Sequence, residues 1–74
     1  MAFDTDRIDE AVLALLYLGL HDDSRAWKGF DWNAMNRLHA KGMIENPVSK
    51  AKSVMFTTDG LRRSRELFEE MFTK

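Results

Sequence analysis

Cysteine is absent from this sequence, which excludes a disulfide framework and any thiolate metal site as a source of stability. Proline occurs once, at Pro47, so a single segment carries the strongest chain-breaker. The longest apolar run, Ala11 to Leu20, is about half of what a membrane crossing needs. The amino-terminal MAFDTDRIDE is acidic and lacks the basic flank of a secretory signal. We therefore expect a cytoplasmic protein. The glycine-rich phosphate loop, the nucleophile elbow and the zinc-ligand spacings are all missing as well. His21, Asp22 and Asp23, with His39 from a later helix, are ligand types without a ligand ladder. Ser24, Ser49, Ser53 and Ser64 stand in no context that marks a nucleophile. The expectation is a protein that is not an enzyme and carries no metal or cofactor.

What is present is enough for one folded domain spanning residues 1–74. The chain has 74 residues, 45% hydrophobic and 31% charged, a composition that folds but sits near the size where one core barely suffices. Dense packing or self-association must supply the rest. The formal net charge of −1 hides an uneven distribution. Residues 1–24 hold six acids and one base, residues 25–65 nine bases and three acids, and residues 66–74 three acids and one base. A basic centre on a near-neutral chain admits an anionic partner, and it equally admits internal charge complementarity.

Taken in order, the chain predicts a helix starting near Asp4–Asp6, where Asp and Thr supply caps and acids suit the positive end of the dipole. Ile8, Ala11, Val12, Leu15, Leu16 and Gly19 trace one apolar face at helical spacing, with Leu13, Tyr17 and Leu20 beside it. So apolar a helix is central to the fold or shared with a second copy. His21 to Phe30 reads as an irregular connection with at most one helical turn, pinned to the core by Trp27 and Phe30. The alternative for Trp27, Phe30 and Trp32 is an aromatic platform for a ligand.

Asp31 caps a second helix, with Phe30 and Met35 placed as a hydrophobic staple. Trp32, Met35 and Leu38 face the core, and Gly42 ends the helix in a left-handed conformation that lets Met43 close back on Leu38. The opposite face carries Asn33, Arg37 and Lys41, flanked by Asn36. Ile44–Glu45 and Ser53–Phe56 form a two-stranded hairpin around Asn46–Pro47, with Lys50 and Lys52 near its tip. Those lysines suit phosphate contact, or they keep an edge strand from aggregating. Thr57 caps the last helix, whose inner face is Leu61, Ser64, Leu67, Phe68, Met71 and Phe72. Its arginines, Arg62, Arg63 and Arg65, lie in the amino-terminal half and its glutamates in the other, against the macrodipole. Pairing of Arg62 with Glu66 and Arg65 with Glu69 offsets part of that cost.

LHAKGMIEN, followed after a basic loop by VMFTTDGLRRSRELF, resembles the recognition helix, wing and following helix of winged-helix regulators of the multiple-antibiotic-resistance and phenolic-acid-repressor types. Over nearly its whole length, through IDEAVLALLYL, RAWKGFDW and SKAKSV, the chain also resembles a family of small bacterial proteins of unknown function. The first resemblance implies a mainly helical α+β fold, winged-helix-like, with three helices and a two-stranded wing. It implies a transcriptional regulator that binds double-stranded DNA, probing the major groove with Asn33, Asn36, Arg37 and Lys41. Lys50 and Lys52 would contact phosphates from the wing, and Arg62 and Arg63 from the last helix. The rival expectation is a protein-interaction or oligomerisation module. We expect a homodimer formed through the first and last helices, because Phe68, Met71 and Phe72 exceed what one helix end needs.

Overall fold

The computed structural model describes residues 2–74. Three helices, α1 (Thr5–Leu16), α2 (Trp32–Ala40) and α3 (Thr58–Phe72), pack with a small antiparallel sheet of β1 (Leu20–His21), β2 (Arg25–Trp27) and β3 (Ser53–Met55). The strand order is β1-β2-β3. Ala26 is the inward residue of the central strand, opposite Leu20 on one side and Val54 on the other. The core joins Leu13, Ala14 and Leu16 of α1 to Ala26, Met35, Leu38, Ile44, Val54, Phe56 and Leu67.

Local chemistry sets the helix ends as the sequence predicts. Asp4, Asp31 and Thr57 cap the three helices, each accepting a hydrogen bond from a backbone N–H three residues on. Gly42 has φ +78°; its N–H donates to the His39 carbonyl and that of Met43 to the Leu38 carbonyl, both at 3.0 Å. This is the two-bond closure that satisfies the last carbonyls of a helix. Thr57 does more than cap α3. Its hydroxyl also donates to the Gly42 carbonyl at 2.6 Å, tying the end of α2 to the start of α3.

Residues 21–30 differ from the expected irregular connection. They contain a hairpin, β1 and β2, turned through Asp22 and Asp23 at φ 47° and 66°, a left-handed conformation that Asp tolerates better than most residues. Strands of two and three residues are too short to show alternation in sequence. The expected two-stranded wing is likewise a part of something else. Ile44 makes one isolated antiparallel bridge to Phe56, while the ladder of β3 runs along β2. The sheet therefore has three strands, and a hairpin stands ahead of α2 where a helix-turn-helix would place a helix.

The buried face of α1 is rotated from the expected stripe. Ile8 is 40% exposed, while Asp9 is 1% and Leu13 3% exposed. Trp27 and Trp32, expected in the core, are both more than half exposed, and so is Phe72. α1 and α3 run parallel and close: the Ser64 hydroxyl donates to the Leu13 carbonyl at 2.6 Å, and the Tyr17 ring meets Phe68 at 5.3 Å. Among the described residues no helix is long and apolar enough to cross a membrane.

Gly60 governs how closely α3 can approach the loop after α2. A Cβ there would overlap the Met43 carbonyl carbon and oxygen, which are backbone atoms and cannot swing aside. Gly60→Ala is expected to cost at least about 3 kcal/mol, a large part of the roughly 4–11 kcal/mol available to a domain this small. Chemical denaturation measures this; a loss below 1 kcal/mol, roughly the scale of ordinary surface substitutions, would contradict the packing described.

Candidate functional site

The basic residues singled out on α2 converge on a carboxylate that sequence reading left unassigned. The Arg37 guanidinium donates through Nε to both Asp9 oxygens at 2.9 and 2.8 Å, and its Nη2 lies 2.8 Å from Oδ1. Lys41, one turn further along α2, places Nζ 2.8 Å from Asp9 Oδ2 and 3.0 Å from Asp6 Oδ1. Asp9 is buried, while the Arg37 and Lys41 side chains remain 32% and 40% exposed. Burial pushes the Asp9 carboxyl upward, but hydrogen bonds and charge from Arg37 and Lys41 outweigh it and hold the group below its ordinary value. The same hydrogen bonds to Asp9 raise both cations. An unpaired carboxylate at this depth would cost several kcal/mol, on the order expected for any desolvated ion, so the two cations are what make the burial tolerable.

The arginines of α3 are also paired. Arg62 lies 2.9 Å from Glu66 and Arg65 3.0 Å from Glu69, as the spacing predicts. Arg63 reaches back to Glu10 of α1 at 3.2 Å. Lys41 and Arg63 border one recess of about 160 Å³ together with Asp6, Asp9 and Glu10, so acids interleave with bases there. A larger groove, about 700 Å³, runs along α3 past Arg62, Arg65, Glu66 and Glu69, again with its charges matched.

Asn33 and Asn36 are exposed on α2. Lys50 and Lys52 are exposed on the loop ahead of β3 and make no ion pair among the described residues. That loop is held by Lys28, whose Nζ donates to the Pro47 and Ser49 carbonyls at 2.7 and 3.2 Å and to the Ser49 hydroxyl at 3.0 Å. His21 donates from Nδ1 to the Gly19 carbonyl, 2.9 Å away, and His39 from Nδ1 to that of Ile44, 3.0 Å away. The nominated residues thus fall into four groups: Arg37 and Lys41 on the α1–α2 seam, Asn33 and Asn36 on the open surface of α2, Arg62 and Arg63 on α3, and Lys50 and Lys52 on the loop.

One surface beside Trp27 is apolar. Leu15, Leu18, Gly19, Trp27, Gly29 and Phe30 line a groove of about 430 Å³ that contains no charged side chain. Trp27 packs closely against Gly19, where a Cβ would sit 3.3 Å from its Cδ1, and its ring stacks on His21 with ring centroids 4.3 Å apart. Leu18 is 69% and Trp27 55% exposed. The aromatic density of RAWKGFDW was the available signal, and the platform alternative for these rings is the one the groove resembles.

The ion-pair seam has a pH signature. The folded-state pKa of Asp9 is depressed, so its stabilisation is complete above the unfolded value of about 3.9 and is lost as pH falls through the folded value. Asp9→Asn, which leaves two cations facing a neutral amide, is expected to lose about 2–3 kcal/mol at neutral pH. The gap from the natural chain should close as the pH is lowered below the ordinary carboxylate range. Urea denaturation of both proteins along a descending pH series checks this, and a gap that stays constant would contradict it.

Comparison with known proteins is consistent with the second resemblance and silent on the first. Residues 4–74 match the family described as Domain of unknown function (DUF6429). The chain is 57% identical over 74 residues, the full length of both sequences, to a bacterial relative from Sinorhizobium fredii named Uncharacterized protein y4hR. No solved structure matches it, and neither match names a winged-helix regulator. With nearly the entire chain covered, this small α+β protein belongs to the DUF6429 family.

Proposed function

We propose that the chain is a non-enzymatic protein-docking module whose working surface is the Trp27 groove rather than the basic face of α2. The observation that carries this reading is the engagement of Arg37 and Lys41 by buried Asp9. Contact with a DNA phosphate would compete with Asp9 for these side chains, which neutralise its buried charge. Such a cost opposes binding, whereas a groove with an exposed indole and leucine gains from being covered. The two buried polar side chains, Asp9 and Ser64, make their hydrogen bonds within the fold.

A second reading keeps the winged-helix-like regulator. It rests on Lys50 and Lys52, exposed on a loop beside β3 and free of ion pairs among the described residues, with Asn33 and Asn36 open on α2. Fluorescence anisotropy with a labelled random DNA duplex decides between the two. The docking reading predicts little binding at low salt and no steep salt dependence. A regulator making about six phosphate contacts would instead weaken by about three orders of magnitude between roughly 50 and 200 mM salt. That slope, abolished by Lys50→Glu with Lys52→Glu, would overturn the docking reading.

A further inference from the structure

The outward face of α3 carries charges in an order that its own helix does not favour. Arg62, Arg63 and Arg65 occupy the amino-terminal half and Glu66, Glu69 and Glu70 the carboxy-terminal half, opposite to the macrodipole. Arg63 turns back to Glu10 of α1. Arg62 and Arg65 have partners on their own helix alone, Asp59, Glu66 and Glu69. In the pairs with Glu66 and Glu69 the cation precedes the acid, which is the weaker orientation at this spacing. Those four side chains stay between 48% and 68% exposed, where such pairs contribute little.

A single operation relates the same four residues. Reversing the helix about the midpoint of Arg65 and Glu66 carries Arg62 onto Glu69 and Arg65 onto Glu66. An α3 laid antiparallel on another α3 therefore meets opposite charge at all four positions, with the macrodipoles opposed as well. Laid parallel, it meets like charge at each. A charge row that is its own complement under a twofold rotation fits an isologous contact, and it selects a second copy over an unrelated surface.

Apolar side chains follow the same row. Leu61, Arg65, Phe68 and Phe72 repeat at the alternating four- and three-residue spacing of a coiled-coil seam. Leu61 and Phe68 are half-buried and Phe72 is exposed. The rings of Tyr17, Phe68 and Phe72 meet in succession, with centroids 5.3 and 5.1 Å apart, which carries the apolar strip toward α1. Fifteen residues make a helix about 22 Å long, so two of them form a small contact of the weak, transient class.

We propose that two copies of this chain associate weakly through α3, the helices antiparallel across a twofold axis near Arg65 and Glu66, with Arg62 of each copy against Glu69 of the other. The contact uses none of the residues that line the Trp27 groove, so it stands or falls apart from the docking reading.

Sedimentation equilibrium of the full chain from about 10 µM to 1 mM, a span suited to weak association, tests it. The natural chain should approach twice 8.6 kDa at the upper end. Arg62→Glu and Glu69→Arg each set like charges across the axis and should raise the dimer Kd about tenfold or more. Mixed in equal amounts, these two variants should associate with each other at about the natural strength, because each supplies the charge that the other lacks. The double variant Arg62→Glu with Glu69→Arg should also recover the dimer, although it sets like charges beside Glu66 and Arg65 on its own helix. That recovery separates pairing between copies from pairing within one helix, and far-UV circular dichroism confirms that each variant is folded. A monomer at 1 mM, a dimer indifferent to the single variants, or folded single variants that fail to associate on mixing would each overturn the proposal.

Discussion

Asp9 lies at the seam between α1 and α2 with its carboxylate almost wholly removed from water, and it stays ionised there because Arg37 and Lys41 reach it from successive turns of α2. The consequence is geometric as much as energetic. Two cations spaced by four residues on one helix, meeting one carboxylate on another, fix both the rotation of α2 and its height along α1. Leu13, four residues beyond Asp9, is thereby aimed into the core. The same contacts convert what looks in sequence like a cationic recognition face into part of the internal structure, and the question of function moves to the other side of α1.

There the constraint is packing. α3 presses so closely on the loop after α2 that Gly60 admits no side chain, and Ser64 hydrogen-bonds the backbone of α1 in place of a bulkier contact. The parallel approach of α1 and α3 uses the inner faces of both helices, and the sheet covers what remains with a single buried residue, Ala26, in its central strand. The inward position of β2 is taken by Ala26, so Trp27, the next residue along the strand, faces the other way. The indole is at the surface, where it packs against Gly19 and stacks with His21. Exposure of the indole therefore follows from the alternation along β2, and it yields an apolar surface on a chain short enough to benefit from covering it.

The parts of the fold that could be read in advance are those decided within a few residues. Asp31, Gly42 and Thr57 mark helix ends by bonding their own neighbours, and Arg62 and Arg65 find Glu66 and Glu69 one turn away. The parts that could not be read depend on distant partners or on very short elements. Asp9 is joined to a residue 28 positions away, so the hydrophobic pattern of α1 treats it as a solvent-facing position and rotates the apparent buried stripe. The β1–β2 hairpin is announced only by two aspartates at its turn. Trp27 was assigned inward because large aromatic residues usually are; its outward position depends on the small residues Gly19 and Ala26, which no periodicity weights. Of the nominated polar residues, Lys50 and Lys52 lie open as expected, whereas the roles of Arg37 and Lys41 turn on the one acid that the pattern conceals.

The account rests on Arg37 and Lys41 being held by Asp9, and titration of the Asp9 side-chain carboxyl by carbon-13 NMR in the natural chain addresses that most directly. An apparent pKa below the usual Asp value is the predicted result, moving upward when Arg37 is replaced by Gln. An ordinary or elevated value, indifferent to that replacement, would mean that the α2 cations are free in solution, and the basic face would return as the leading candidate for function.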